Sequence, residues 1–168
     1  MGERADRAPE RPTSSGHGSP SRGPAVSLPH RADVLAVVMP ALLGVDPASH
    51  GDPDEVGTAR IVAAGRGLVA GVPIAREAFG RMGSRTRPLV DEGSPIEPGQ
   101  VVAEVGGPLA AIRAAAPVAL DLLTRLSAVA SGARAPAPGD VLEAYASRLS
   151  AAAPVGDDGP SFHLDIEG

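Results

Sequence analysis

The chain has 168 residues, enough for one domain with tails, and a formal net charge of −5. It contains no Cys, and all 15 basic residues are Arg, with no Lys at any position. These absences exclude disulfides, thiolate metal sites and cysteine nucleophiles, and also Walker-type phosphate loops, Schiff-base lysines and biotinyl or lipoyl attachment. Arginines scattered through an acidic chain give no basic face for nucleic acid. The 21 Gly and 18 Pro predict long irregular segments, and one Tyr, two Phe and no Trp leave Val, Leu, Ile and Ala to build a small core.

Residues Met1 to Arg31 are Pro, Ser, Gly and Arg with few large apolar side chains, so they cannot bury enough surface to offset ordering and read as a disordered tail. Interspersed Glu3, Asp6 and Glu10 and the lack of an apolar stretch argue against a signal peptide. Asp33 to Leu43 is the first hydrophobic run; it is too short to span a bilayer and is interrupted by Pro40. No other segment qualifies, so the expectation is a soluble, cytoplasmic chain. Gly44 to Gly57 reads as a surface loop from its Pro, Gly and Asp clusters. His50 among Asp46, Asp52, Asp54 and Glu55 lacks the spacing of a hard-cation loop, and no metal site is expected there.

Arg60–Ala64 and Gly67–Ala70 read as two strands around a Gly65-Arg66-Gly67 turn. The glycine spacing does not form a dinucleotide fingerprint. Pro73 suits a first helical turn, and Ile74, Ala78, Phe79 and Met82 form an apolar stripe that ends at Gly83. Arg85–Val90 is a further strand, weakened by Pro88. Turn-rich Glu92–Gln100 leads into the alternating strand Val101–Val105. After Gly106-Gly107-Pro108 the apolar run to Ser131 is too long for a strand. Leu109, Ile112, Ala116, Ala119, Leu123 and Leu126 recur at helical spacing. Arg113, Pro117, Asp121 and Arg125, four apart, share one polar stripe of that helix, which reads as its solvated side.

Gly132–Gly139 is a Pro-rich linker. Asp140 is placed to cap a short helix over Val141–Ala151, with Glu143 in the position of a capping box. The final Phe162-His163-Leu164-Asp165-Ile166 alternates; a frayed terminus is the expectation, against an added sheet edge or a docking tag. The expected organisation is therefore a disordered tail over 1–31, a folded domain over 32–131, a linker over 132–139, an appended helix over 140–152 and an acidic tail over 153–168. Hairpin-like turns rather than repeated crossovers give an α+β fold, a small mostly antiparallel sheet with helices packed on one face.

Four blocks within Thr58–Ser131 resemble one known family. Ala59-Arg60-Ile61-Val62-Ala63-Ala64 with Gly67–Ala75, then Val90-Asp91-Glu92-Gly93, then Glu97-Pro98-Gly99-Gln100-Val101, then Leu126-Ser127 with Val129-Ala130, are similar in order and spacing to the N-terminal domain of quinolinate phosphoribosyltransferase (nicotinate-nucleotide diphosphorylase, carboxylating), a pentosyltransferase family of NAD biosynthesis. Asp33-Val34 and Pro40 resemble the start of that domain, though Leu35 and Ala36 replace its paired Thr. The resemblance implies that a Gly-Glu-Arg-x-x-Leu-Asn segment of the long helix delivers an Arg to the neighbouring subunit's substrate carboxylates, a task suited to the guanidinium fork. On this chain the segment aligns with Ala115 to Asp121, so the Arg position is Pro117, the Glu is Ala116 and the Asn is Asp121. Arg113, one turn earlier, and Arg125 are the candidate substrate-binding residues; a one-turn shift is about 5–6 Å.

The resemblance also implies a catalytic barrel that follows this domain and binds phosphoribosyl pyrophosphate. The residues after Ser131 are far fewer than the roughly 250 of such a barrel and include no Lys. The expectation is a free-standing, non-catalytic relative, a pseudoenzyme without cofactor or catalytic residue. It would form oligomers by binding itself or a transferase-like barrel protein, as the family's domain packs on a partner subunit's barrel in a two-fold dimer. The alternative is the N-terminal part of a split nicotinate-nucleotide pyrophosphorylase whose barrel lies on another chain. Neither nucleic acid nor membrane is an expected partner.

Overall fold

The computed structural model describes residues 27–149 and 159–167. Its order is α1 (Arg31–Leu42), a 3-10 turn (Pro47–His50), β1 (Val56–Ala63), β2 (Gly67–Leu68), α2 (Val72–Arg81), β3 (Arg85–Pro88), β4 (Pro95–Ile96), β5 (Val101–Pro108), α3 (Leu109–Ala130), α4 (Val141–Arg148) and β6 (Phe162–Glu167). Four strands form an antiparallel sheet in the order β3-β5-β1-β6, and β2 pairs with β4 in a separate two-stranded sheet. This is the α+β architecture expected from the periodicities, with β1 and β5 as the central pair.

Alternation sorts the sheet's two faces. Ala59, Ile61, Ala63, Ala103 and Val105 are buried beneath the helices. On the other face Arg60 lies opposite both Glu104 and Asp165, and Arg87 opposite Glu104. That row of alternating charge favours solvent and fixes the register, because a one-residue slip would turn it into the core. Over the inner face runs α3, 22 residues and roughly 33 Å long. Its Leu109, Ile112, Leu122, Leu123 and Leu126 are all buried, because α1, α2, α4 and the 3-10 turn pack around it.

Helix α1 buries Val34, Val38 and Leu42, four apart on one face; Pro40, near its end, cannot donate to the Ala36 carbonyl and costs the helix that bond. Helix α2 starts at Gly71, whose φ of 99° places it in the left-handed region, with Pro73 in the first turn. A Cβ on Gly71 would sit 2.8 Å from the Leu126 side chain, so the close approach of α2 to α3 also requires glycine.

Several expectations are corrected. The Gly65-Arg66-Gly67 turn does not join a hairpin. The Ala63 and Ala64 amides bond to Gln100 and Ser161, and Gly67 pairs with Ile96, so the chain leaves one sheet for another. The C-terminal segment is not frayed: β6 pairs with β1 over six residues and buries Phe162. Asp140 caps α4 by accepting from the Leu142 and Glu143 amides, but Glu143 does not close a capping box. Its carboxylate turns back to the Ala137 amide and to Arg134, the partners that its 1 % exposure demands. The Gly44–Gly57 loop contains the 3-10 turn, with Asp46 as its cap, and ends inside β1. The acid tail expected over 153–168 thus includes a strand, and the tail expected over 1–31 ends in helix, since α1 begins at Arg31. Residues 1–26 lie outside the described residues, as do 150–152 of the appended helix.

Candidate functional site

The polar stripe of α3 divides in two. Arg113 lies 4.0 Å from Glu55 and packs against Gly51, so the loop before β1 holds it. One and two turns beyond Pro117, Asp121 and Arg125 form an ion pair at 3.6 Å. With Pro117, Val118 and Leu122 they line one side of a groove of about 420 Å³, whose other side is Val37 and Ala41 of α1. Pro117, Asp121 and Arg125 of the stripe therefore face this groove, and Arg113 does not. The groove is mostly apolar, with one guanidinium whose charge a carboxylate already offsets. Pro117, the position that aligns with the family's Arg, is exposed in the same groove and adds neither charge nor an N–H. Geometrically the groove suits an apolar side chain better than a small dianion.

A second cluster escaped the sequence reading. The Glu92 carboxylate accepts from the Gly71 amide at 2.9 Å, the Val72 amide at 2.8 Å and the Tyr145 hydroxyl at 2.7 Å. It supplies in trans the cap that the N-terminus of α2 lacks in its own sequence. Burial, reinforced by the charge of Glu92 and the hydrogen bond to it, pushes the Tyr145 phenol well above its ordinary value. Beside it, Ser127 Oγ accepts from the Ala70 amide at 2.9 Å and donates to the Ala70 carbonyl at 3.2 Å. Ser131 Oγ spans Leu68 in the same way, at 2.8 and 3.4 Å. The signal for both clusters was present in the blocks Val90–Gly93 and Leu126–Ser127; their partners, 20 to 63 residues away, were not visible in local pattern.

An antiparallel sheet backed by a long buried helix, with the loop before α2 bolted to that helix by serines, defines an α+β sandwich domain of the nicotinate-nucleotide pyrophosphorylase type. The chain belongs to the family described as quinolinate phosphoribosyl transferase, N-terminal domain, whose profile matches residues 33–127. It is 35 % identical over 78 residues to a protein of Bacillus subtilis (strain 168) described as a probable nicotinate-nucleotide pyrophosphorylase (carboxylating); the match covers 45 % of this chain and 27 % of that one. The fold is similar to that of NadC from Streptococcus pyogenes, with a TM-score of 0.66 at 18 % identity over 79 % of this chain and 54 % of that one. It is similar, too, to nicotinate-nucleotide pyrophosphorylase from Francisella tularensis, with a TM-score of 0.66 at 17 % identity over 82 % and 55 %. The chain thus spans about a quarter of the length of the curated relative and about half of the structural ones. The resemblance read from the four blocks is borne out. Among the described residues, no helix is long and apolar enough to cross a membrane.

Proposed function

We infer that this chain works by protein association and is not itself a catalyst: a non-catalytic relative of the N-terminal domain whose family it belongs to. One observation carries the reading. Where the resemblance places a carboxylate-binding Arg, this chain has Pro117, and the groove around it is apolar with a single internally paired cation. Binding a dicarboxylate requires unpaired donors aimed at it, and Arg113, one turn away, is already beside Glu55.

The long helix does not leave several Leu or Val side chains in water, since α1, α2 and α4 cover them. The association surface therefore reduces to the α1–α3 groove, with Pro117, Val118 and Arg125 as contact residues; Arg113, held beside Glu55, lies outside it. The partner is a second copy of this chain or a transferase-like barrel, in the cytoplasm.

Sedimentation at micromolar concentration, alone and mixed with a full-length transferase from the same source, tests association; Val118→Asp in the groove should abolish any complex. The chain alone should form no nicotinate mononucleotide from quinolinate and phosphoribosyl pyrophosphate. A clean monomer in both runs overturns the association reading. Turnover by the chain alone that Arg113→Ala abolishes would make Arg113 a substrate ligand. Activity that appears only with a separate barrel chain would instead favour a split enzyme.

A further inference from the structure

Every arginine among the described residues has a carboxylate oxygen within 4.0 Å except Arg76, Arg85 and Arg148. Two of these three, Arg76 and Arg85, line one cleft of about 390 Å³ between the C-terminal half of α2 and the start of β3. Its remaining lining is Glu77, Gly80, Ser84 and Thr86. An independent observation falls on the same place. Three buried side-chain polar atoms among the described residues have no hydrogen-bond partner: Ser84 Oγ, Thr86 Oγ1 and Arg125 Nε. The first two belong to this cleft, and Ser84 is only 3 % exposed.

Folded proteins rarely leave a buried hydroxyl unpaired, because it has given up water for nothing. Here the neighbouring strand offers no side-chain acceptor, since the residue of β5 against Ser84 is Gly107. The one carboxylate of the cleft, Glu77, is matched on its other side by Arg81 at 3.1 Å and Arg31 at 3.6 Å. Neither of its oxygens lies within 4.0 Å of the Arg76 or Arg85 guanidinium. The last turn of α2 presents partial negative charge, so any affinity for anions must come from these side chains and not from the helix. Among the described residues, two exposed guanidinium groups without a carboxylate partner and two buried hydroxyls without an acceptor converge on this cleft. A phosphate monoester offers three terminal oxygens and a double charge, against two oxygens and a single charge for a carboxylate. The cleft is larger than a phosphate group, which leaves room for the esterified remainder.

We propose that the α2–β3 cleft is a binding site for a phosphate monoester, held by Arg76 and Arg85 with Ser84 and Thr86 as hydroxyl donors. It lies apart from the α1–α3 groove and does not depend on the association reading. The test titrates the full chain with inorganic phosphate in a low-salt, phosphate-free buffer, following backbone amide shifts. Saturable shifts confined to residues 76–86 are expected, reproduced by O-phosphoserine and not by acetate at equal ionic strength. Arg76→Gln and Arg85→Gln should each weaken binding about tenfold, the scale of one charged hydrogen-bonding group, while Arg148→Gln leaves it unchanged. Ser84→Ala should weaken phosphate binding yet raise the Tm of the ligand-free protein, a combination that a merely structural serine would not produce. Shifts that fail to saturate, that acetate matches, or that survive Arg85→Gln overturn the proposal.

Discussion

Ser127→Ala removes one buried oxygen from the last turn of α3, and the structure sets the size of the effect. Ser127 is fully buried, as is Ala70, whose amide and carbonyl are both bonded to Ser127 Oγ. Alanine would leave a buried N–H and a buried C=O without their partner, each costing about 1–3 kcal/mol. The donor distance of 3.2 Å to the carbonyl places that half near the lower end. Alanine's better helix propensity returns roughly 0.5 kcal/mol. The expected loss is therefore about 1.5–3.5 kcal/mol, out of a total that for domains of this size is about 5–15 kcal/mol. Urea denaturation followed by far-UV circular dichroism measures it, with exposed Asp121→Ala as a control expected to change stability by less than about 0.5 kcal/mol. Amide exchange at Ala70 should accelerate more than at β1, because the loop detaches from α3 before the sheet opens. Ser131→Ala acts on Leu68 two residues away, so the double variant should lose less than the sum of the two single ones. A loss below about 0.5 kcal/mol for Ser127→Ala would refute the view that these serines bolt the loop to the helix.

Three further outcomes are expected. Folding raises the Tyr145 pKa above its unfolded value near 10, so the unfolded state loses the proton first; the tyrosine's contribution is complete below that pH and falls as pH rises beyond it, and Tyr145→Phe should flatten the alkaline limb of a stability–pH curve. Phe162→Ala should cost about 3 kcal/mol, because Phe162 is buried opposite Ala63; wild-type stability in this variant would mean that β6 does not dock. Val118→Asp should leave a monomer of near-normal fold, read by sedimentation and circular dichroism together, because Val118 is only partly buried at the groove.

What could be read in advance was what repeats locally. The alternation of Val101–Val105 and the three-and-four spacing from Leu109 to Leu126 gave β5 and α3 close to their observed bounds, since both patterns report which side chains share a face. Helix α1 was harder: Asp33–Leu43 is nearly continuous in apolar residues, with β-branched Val and an internal Pro, a pattern that does not separate helix from buried strand. The Gly65–Gly67 hairpin failed because a turn signal shows that the chain bends without showing where it goes. The pairing of β6 with β1 links residues about a hundred positions apart, and Phe162–Ile166 carries no mark of its partner. The same holds for the site. Arg113, Pro117, Asp121 and Arg125 were legible as a stripe of α3; that α1 lies along its second half and Glu55 beside its first was not.

The blocks that carried the family resemblance turn out to be bonded to one another. Glu92, from one block, caps Gly71 and Val72 of another. The Gly93 amide bonds to the Val69 carbonyl, and the Val69 amide to the Ser94 carbonyl. Ser127 holds Ala70, and Gly67 pairs with Ile96 beside the Glu97–Val101 block. Substituting Glu92 or Ser127 leaves backbone groups of another block unpaired, so these blocks constrain each other through the fold and say little about chemistry. Pro117 is under no such constraint. It is exposed, has no hydrogen bond outside its helix among the described residues, and sits where the resemblance expects a charged substrate ligand. A scaffold whose internal bonds link the family's blocks, with Pro117 at the surface position that would touch substrate, is what supports the association reading proposed above. That asymmetry, between a groove without unpaired cations and a cleft at α2–β3 with two, is the physical reason to look for this chain's ligand away from the family's site.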